Sequence, residues 1–435
     1  MSNPKPHLGI LGLWHLGSVY SASFAKLGYK VTGYDPDRDV IRNLNKSIPP
    51  IFEPGLTEEI RNHLQKNLTF SHNPQDTIAN KQYIFVALDS PVDENDEVDT
   101  SPIDKLFKLI VRFRSPKTTI VISSQVPIGT CRKYQTEIKT WQDTKIIYFP
   151  ENIRLGEAFK TFLHPDRIIL GSDDKAAIAQ FKKDFPSFVC PILEMGLESA
   201  EMAKHTMNSF LAVNISFAGE ISDLCELTGA NYLDVVKALK TDSRVGENAP
   251  LKAGIGFAGG TIGRDVKILK KIAKTHRYSP KLLNACYQVN QERIDKLFSK
   301  IKTIYPKISG KRIGLLGLTY KPGTNTLRRS RSLELAKLLY AEKAEVKAHD
   351  PAITKTVSGF RFIKIANNLI DFFNDLDLAI LLTPWPQFKD ISNKDLNSMK
   401  QKVIIDTANL LDIGRIAAPQ TKYYGTGVNY PIDAI

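Results

Sequence analysis

An α/β architecture, two doubly wound domains joined by a long central helical domain, is predicted by three observations. A strand, glycine turn, helix and strand ending in Asp-Pro open the chain, and the same pattern returns after residue 311. Between them lies a long stretch of unbroken helical periodicity. At 435 residues the chain is too long for one core and suits two or three domains.

The apolar run His7-Leu8-Gly9-Ile10-Leu11 reads as the first strand and leads into Gly12-Leu13-Trp14-His15-Leu16-Gly17. Helical spacing follows at Val19, Ala22, Phe24, Ala25 and Leu27, and Gly28 stops it. Lys30-Val31-Thr32-Gly33-Tyr34-Asp35 is a second strand closing on an acid. Together these make a Rossmann-like dinucleotide-binding unit, with Gly12 for the tight turn and Gly17 for close helix packing. Trp14 stands where the fingerprint has its second glycine, so it is expected to shift the pyrophosphate or weaken its binding. Asp35 lies about 20 residues past the turn, where a carboxylate accepts from a ribose 2′-OH and repels a 2′-phosphate. That selects NAD over NADP.

The helical stretch runs from 198 to about 228, with Ala203, Met207, Phe210, Phe217, Ile221 and Leu224 at three- and four-residue spacing, and Gly229 ends it. Such a helix suits a spine joining two α/β domains, or a dimer seam. In the late unit, Arg312-Ile313-Gly314-Leu315-Leu316 is a strand and Gly317-Leu318-Thr319-Tyr320-Lys321-Pro322-Gly323-Thr324 a glycine-bearing loop. A helix from about 332 to 340 and a strand over 345–350 complete the repeat.

Composition narrows the function classes. The N-terminus lacks an apolar leader and no run reaches the ~18 apolar residues of a membrane span, so a cytoplasmic protein with no membrane association is expected. Cys131, Cys190, Cys225 and Cys286 are too widely spaced for a zinc site or a disulfide framework, and no metal is expected. The net charge of +13 is spread along the chain with acids interleaved. That suits a small polyanionic substrate and argues against nucleic acid.

The densest chemistry lies in Gly254-Ile255-Gly256-Phe257-Ala258-Gly259-Gly260-Thr261-Ile262-Gly263-Arg264-Asp265, whose five glycines leave backbone N–H groups open to a ligand. Lys204 and Asn208 fall one turn apart on one helix face, a pairing that holds an oxyanion or a water, or merely a solvated stripe. Turn-rich segments occur at Phe52-Glu53-Pro54-Gly55-Leu56, Ser90-Pro91-Val92-Asp93, Ser124-Gln125-Val126-Pro127 and Pro150-Glu151-Asn152.

Taken in order, these segments resemble the UDP-glucose/GDP-mannose dehydrogenase family over nearly the whole chain, from Gly9 to about Tyr430. Members oxidise C6 of a nucleotide sugar twice with two NAD⁺, through a cysteine thiohemiacetal and thioester. The resemblance implies that Lys204 and Asn208 stabilise oxyanions, Glu151 assists hydrolysis and Asp265 manages protons. It adds Ser90, Pro91 and Gln125 to Gly12, Trp14, Gly17 and Asp35 as cofactor residues, and assigns Gly256, Phe257, Gly259, Gly260, Lys321 and Arg328 to the nucleotide sugar. It also implies a homodimer through the central helix. The domains then read as 1–195 for NAD, 196–300 for the helical dimerisation domain with the glycine-rich loop, and 301–435 for the nucleotide sugar.

Several positions depart from the family. Thr261 occupies the nucleophile's place, counting back from Asp265, and no histidine flanks it to activate its weakly acidic hydroxyl. Gln125 stands where members have threonine, Asn325, Thr326 and Arg329 where they have acids, and Ala408 where they have arginine. Gaining Arg329 and Arg331 is expected to make the nucleotide side more cationic. The leading expectation is an NAD-dependent oxidoreductase on a UDP- or GDP-hexose without the covalent thioester step. A redox-neutral nucleotide-sugar epimerase and a non-catalytic sugar-nucleotide-binding protein are the alternatives.

Overall fold

Strands buried on both faces of a parallel sheet carry apolar side chains at every position, and Tyr83-Ile84-Phe85-Val86 is buried throughout in this way. The structure is a computed structural model that describes residues 4–89, 99–138, 143–150, 153–418 and 420–428. The chain divides into two units, Met1–Thr206 and Met207–Ile435.

The first unit holds β1 (His7–Leu11), β2 (Lys30–Tyr34), β3 (Leu68–Ser71), β4 (Tyr83–Val86), β5 (Thr119–Ile122), β6 (Lys145–Tyr148), β7 (Ile168–Gly171) and β8 (Ile192–Met195). Their order in the sheet is β3-β2-β1-β4-β5-β6-β7-β8, parallel throughout except where β7 runs against β6. The direction of strand order reverses between β1 and β4, the switch point at which such sheets open a crevice. The helix His15–Lys26 returns from that point and is pinned to the sheet by aromatic rings. Phe24 meets Tyr20, Tyr29, Phe85 and Phe162 at centroid separations of 5.0–6.0 Å, contacts that fix orientation as well as burying area.

The second unit holds β9 (Arg312–Leu316), β10 (Glu345–His349), β11 (Lys364–Ile365), β12 (Leu378–Leu381), β13 (Val403–Asp406) and β14 (Lys422–Gly425). The all-parallel order β11-β10-β9-β12-β13-β14 is the permutation found in the first six strands of the other sheet. The internal repeat read from sequence is therefore a repeat of topology, two Rossmann-like sheets separated along the chain by helices. Those helices are Leu197–Thr228, whose first turns belong to the first unit, then Tyr232–Thr241, Ile262–Thr275 and Lys281–Ile304. Among the described residues, no helix is long and apolar enough to cross a membrane.

The first glycine turn is tight for a steric reason. Gly12 has φ +88°, and a Cβ there would lie 2.8 Å from the Leu88 Cα. A Cβ on Gly17 would lie 1.7 Å from the Gly12 carbonyl oxygen, so helix and strand approach only because that atom is missing. Gly17→Ala is expected to lower stability by about 2 kcal/mol or more, read as a lower urea midpoint. An unchanged midpoint would mean that the helix does not pack this closely.

Candidate active site

In the first unit, the turn after β1 ends in the helix His15–Lys26, whose first turn carries no acidic residue and leaves its N–H groups to an anion. Asp35 sits at the end of β2, 8% exposed, and one of its oxygens accepts the Leu13 N–H at 2.8 Å. The other accepts the Asp37 N–H at 2.9 Å. Burial holds the Asp35 carboxyl above its usual range, against the pull of those two N–H groups. Trp14 has φ −68°, so the backbone at this position makes no demand for glycine, and its indole is 48% exposed.

The second unit repeats this acid with a different outcome. Asp350 follows β10 and one oxygen, Oδ2, accepts from the Leu318 and Thr319 N–H groups, the Thr319 hydroxyl and the Trp385 indole. Its Oδ1 accepts the Ala352 N–H. This carboxylate is consumed by its own fold, whereas each Asp35 oxygen carries one backbone bond and retains a lone pair for a ribose. Of the two repeats, the first has the acid suited to reading a dinucleotide.

Two buried carboxylates brace the loops of the first unit. Glu53, from the Glu-Pro-Gly-Leu segment, accepts from the His15 ring and the Gly156 N–H, both at 3.0 Å, and from the Ala158 N–H at 2.7 Å. Burial pushes its carboxyl up, but these donors outweigh it and hold Glu53 below the ordinary glutamate range. Glu201 accepts the Gly129 and Cys131 N–H groups, while His205, one turn on, bonds the Val126 carbonyl at 2.8 Å. Burial keeps Glu201 above its usual range. The Ser124-Gln125-Val126 segment is thereby held to the helix that bears Lys204, with Gln125 and Lys204 both buried.

In the second unit the glycine loop is held from below by the helix Lys281–Ile304. The Asn290 side chain accepts the Phe257 N–H at 2.7 Å and donates to the Phe257 carbonyl at 3.2 Å. Gly256 has φ +86°, and a Cβ there would fall 2.2 Å from the Asn290 Oδ1. Arg293, one turn on, donates to the Gly254 carbonyl at 3.0 Å and pairs with Asp223 at 2.7 Å. A Cβ on Gly259 would lie 2.8 Å from the Tyr320 ring, and one on Gly260 would lie 3.8 Å from the Arg328 guanidinium. The Lys321 ammonium stands 5.8 Å from the centroid of that Tyr320 ring. Gly259 and Gly260 thus lie against the loop that carries Tyr320, Lys321 and Arg328, whereas Phe257 is buried with Val266 and Cys286 and Gly256 faces Asn290.

Thr261 is exposed at the N-cap of the helix Ile262–Thr275, and its hydroxyl caps no backbone group. Asp265, fully buried in the first turn, accepts a hydrogen bond from the Asn208 side-chain amide. Cys286 packs beneath the loop with Phe257 and Val266, 4% exposed, and burial pushes its thiol up. Arg331 differs from the cationic reading of this region. It is 5% exposed and spends its guanidinium on the Asn290 carbonyl and Glu334, joining the loop clamp rather than facing a ligand. Ser90, Pro91 and Glu151 lie outside the described residues.

The clamp of Asn290, Arg293 and Arg331, and the braces Glu53 and Glu201, were not singled out from sequence as side chains that hold these loops. Asn290 and Arg293 sit three residues apart on an amphipathic helix, where polar residues normally face water, and nothing local distinguishes them. Asn290→Ala would leave both Phe257 backbone groups without this partner in a buried setting. A loss of about 1–3 kcal/mol in unfolding stability is expected from chemical denaturation. No loss would mean that the loop is held by other contacts.

Comparison with known proteins was made against this geometry. Residues 7–189 match the NAD binding domain of the UDP-glucose/GDP-mannose dehydrogenase family, 198–292 its central domain and 314–413 its UDP binding domain. The UDP-glucose 6-dehydrogenase TuaD of Bacillus subtilis is 31% identical over 97% of this chain and 93% of its own length. The UDP-glucose 6-dehydrogenase of Rickettsia conorii is 31% identical over 97% of this chain and 99% of its own. A solved UDP-glucose dehydrogenase from the hyperthermophilic archaeon Pyrobaculum islandicum superposes with a TM-score of 0.89 at 26% identity, covering 98% of both chains. The chain therefore belongs to the UDP-glucose/GDP-mannose dehydrogenase family, NAD-dependent oxidoreductases acting on a CH–OH group of a nucleotide sugar.

Proposed function

We propose that this protein oxidises a UDP-hexose, removing hydride from a sugar CH–OH group without a covalent thioester step. The relatives named UDP-glucose 6-dehydrogenase make UDP-glucose and its C6 hydroxyl the first substrate to test. The observation that carries the non-covalent reading is Thr261, which by family resemblance stands in the nucleophile's place. Its hydroxyl is far less acidic than a thiol. Cys286, the thiol beneath the loop, is buried with its pKa raised, the opposite of an activated nucleophile.

The residues of the first turn fit a dinucleotide. Gly12 and Gly17 let strand and helix close on a turn too tight for a Cβ, the helix that follows has an acid-free first turn, and Asp35 retains acceptor capacity. On this reading Gly12, Trp14, Gly17, Asp35, Ser90, Pro91 and Gln125 hold the cofactor, and bound NAD⁺ supplies the hydride acceptor. Gly256, Phe257, Gly259, Gly260, Lys321 and Arg328 hold the nucleotide sugar. Lys204 and Asn208 orient the alcohol oxygen and stabilise the negative charge it develops. Asp265 fixes the Asn208 amide and accepts the hydroxyl proton, leaving an aldehyde once the hydride has gone. Glu151 guides water onto that aldehyde where a second oxidation follows.

The test is NADH absorbance with product mass over a panel of UDP- and GDP-hexoses. NADH released in proportion to sugar consumed, with no sugar adduct on the quenched protein, is the expected result. A trapped adduct, a changed sugar without net NADH, or a melting shift without turnover would each overturn it. Thr261→Cys is expected to gain a trapped thiohemiacetal or faster uronic acid formation, and indifference would remove Thr261 from the site. Lys204→Ala is expected to lower turnover by about 10²-fold or more. An unchanged rate would return Lys204 to a structural role.

The same reading includes a homodimer. Met207, Phe210, Phe217 and Leu224 on the helix Leu197–Thr228 are 40–59% exposed in the single chain, an apolar stripe that favours a second copy as its cover. Replacing Phe210 and Phe217 by Glu is expected to halve the mass measured by light scattering. A mass independent of these residues would place any association elsewhere.

A further inference from the structure

Outside the residues assigned above lies a part-buried hydrogen bond beside the cofactor turn that the reaction does not use. The Glu53 side chain is wholly buried, and a carboxylate taken from water persists only where donors replace its hydration. Two of its donors are the Gly156 and Ala158 N–H groups, so the main chain dictates where the carboxylate stands. A third is the ring of His15, the first residue of the helix that follows the glycine turn. The contact thus ties the start of that helix to a point set by a different segment.

Trp14, immediately before His15, is the N-cap of this helix, and its side chain caps nothing. It stands where the dinucleotide fingerprint has the glycine that gives the backbone access to the pyrophosphate. A loosely held indole at this point would sweep the space that the phosphates need. An indole held at one angle leaves that space open and adds an apolar wall, at no further cost in side-chain order when the ligand arrives.

We propose that His15 and Glu53 are a positioning pair for the dinucleotide, fixing the first turn of the helix so that the Trp14 indole borders the pyrophosphate site instead of occupying it. The proposal rests on the assignment of this turn to NAD.

Indole fluorescence gives a readout independent of turnover. Trp14 is half-exposed, whereas Trp385 is buried and bonds Thr319 and Asp350 through its ring nitrogen. A Trp14→Phe variant identifies the Trp14 part of the signal. The experiment titrates NADH into wild type, His15→Phe, which lacks the donor, and His15→Gln, which restores an N–H near the same place. Expected are binding by wild type, a loss of about tenfold or more in His15→Phe, and recovery of most of it in His15→Gln. The KM for NAD⁺ should follow, while the KM for the nucleotide sugar and the melting temperature stay near the wild-type values. Wild-type NADH affinity in His15→Phe overturns the pairing role, as does a parallel rise in both KM values with a fall in melting temperature. Failure of wild type itself to bind NADH would instead overturn the cofactor assignment on which the proposal stands.

Discussion

The close approach of backbone to backbone at the first strand–helix junction is the constraint on which the dinucleotide turn rests. The chain leaves β1, turns at Gly12 and enters the helix so tightly that a Cβ on Gly17 would overlap the Gly12 carbonyl oxygen. That proximity directs the N–H groups of the helix start to the crevice at the switch point of the sheet, where the parallel ladder has no use for them. Asp35 then closes the turn by accepting the Leu13 N–H, and so holds the loop in place.

The second sheet demonstrates how one architecture separates two tasks. Asp350 answers to Asp35 in position, yet it takes five hydrogen bonds from its own fold and is 2% exposed. The Tyr320-Lys321 loop meets the glycine loop of the same unit, and a helix side chain, Asn290, holds that loop by both backbone groups of Phe257. A loop of five glycines has much conformational freedom to lose, and the clamp fixes its backbone in one arrangement.

Conserving charge inside the protein follows the same logic. Glu53, Glu201 and Asp265 are buried carboxylates, and each is matched to N–H donors on segments far away in sequence. A buried acid without donors would cost several kcal/mol, so each of these contacts is strongly directional and locates two segments at once. Arg331 belongs to this scaffold: its guanidinium bonds the Asn290 carbonyl, and the positive charge that sequence assigns to a ligand surface is spent on packing.

The amino-acid sequence by itself determined the two strand–turn–helix–strand units, the long helix between them and the glycine loop, because each is written in local periodicity and turn chemistry. β1 and β9 run over the residues read from the sequence, and the helix Leu197–Thr228 begins one residue before its reading. Tertiary structure alone decided which polar residues hold those loops. Asn290 with Phe257 and Glu53 with His15 join residues 33 and 38 positions apart, a separation that local periodicity does not report. It also leaves the apolar stripe at Met207, Phe210, Phe217 and Leu224 exposed in the single chain, which periodicity alone does not report. Sequence spacing encodes direction along one element, whereas burial and hydrogen bonding depend on which distant element arrives opposite.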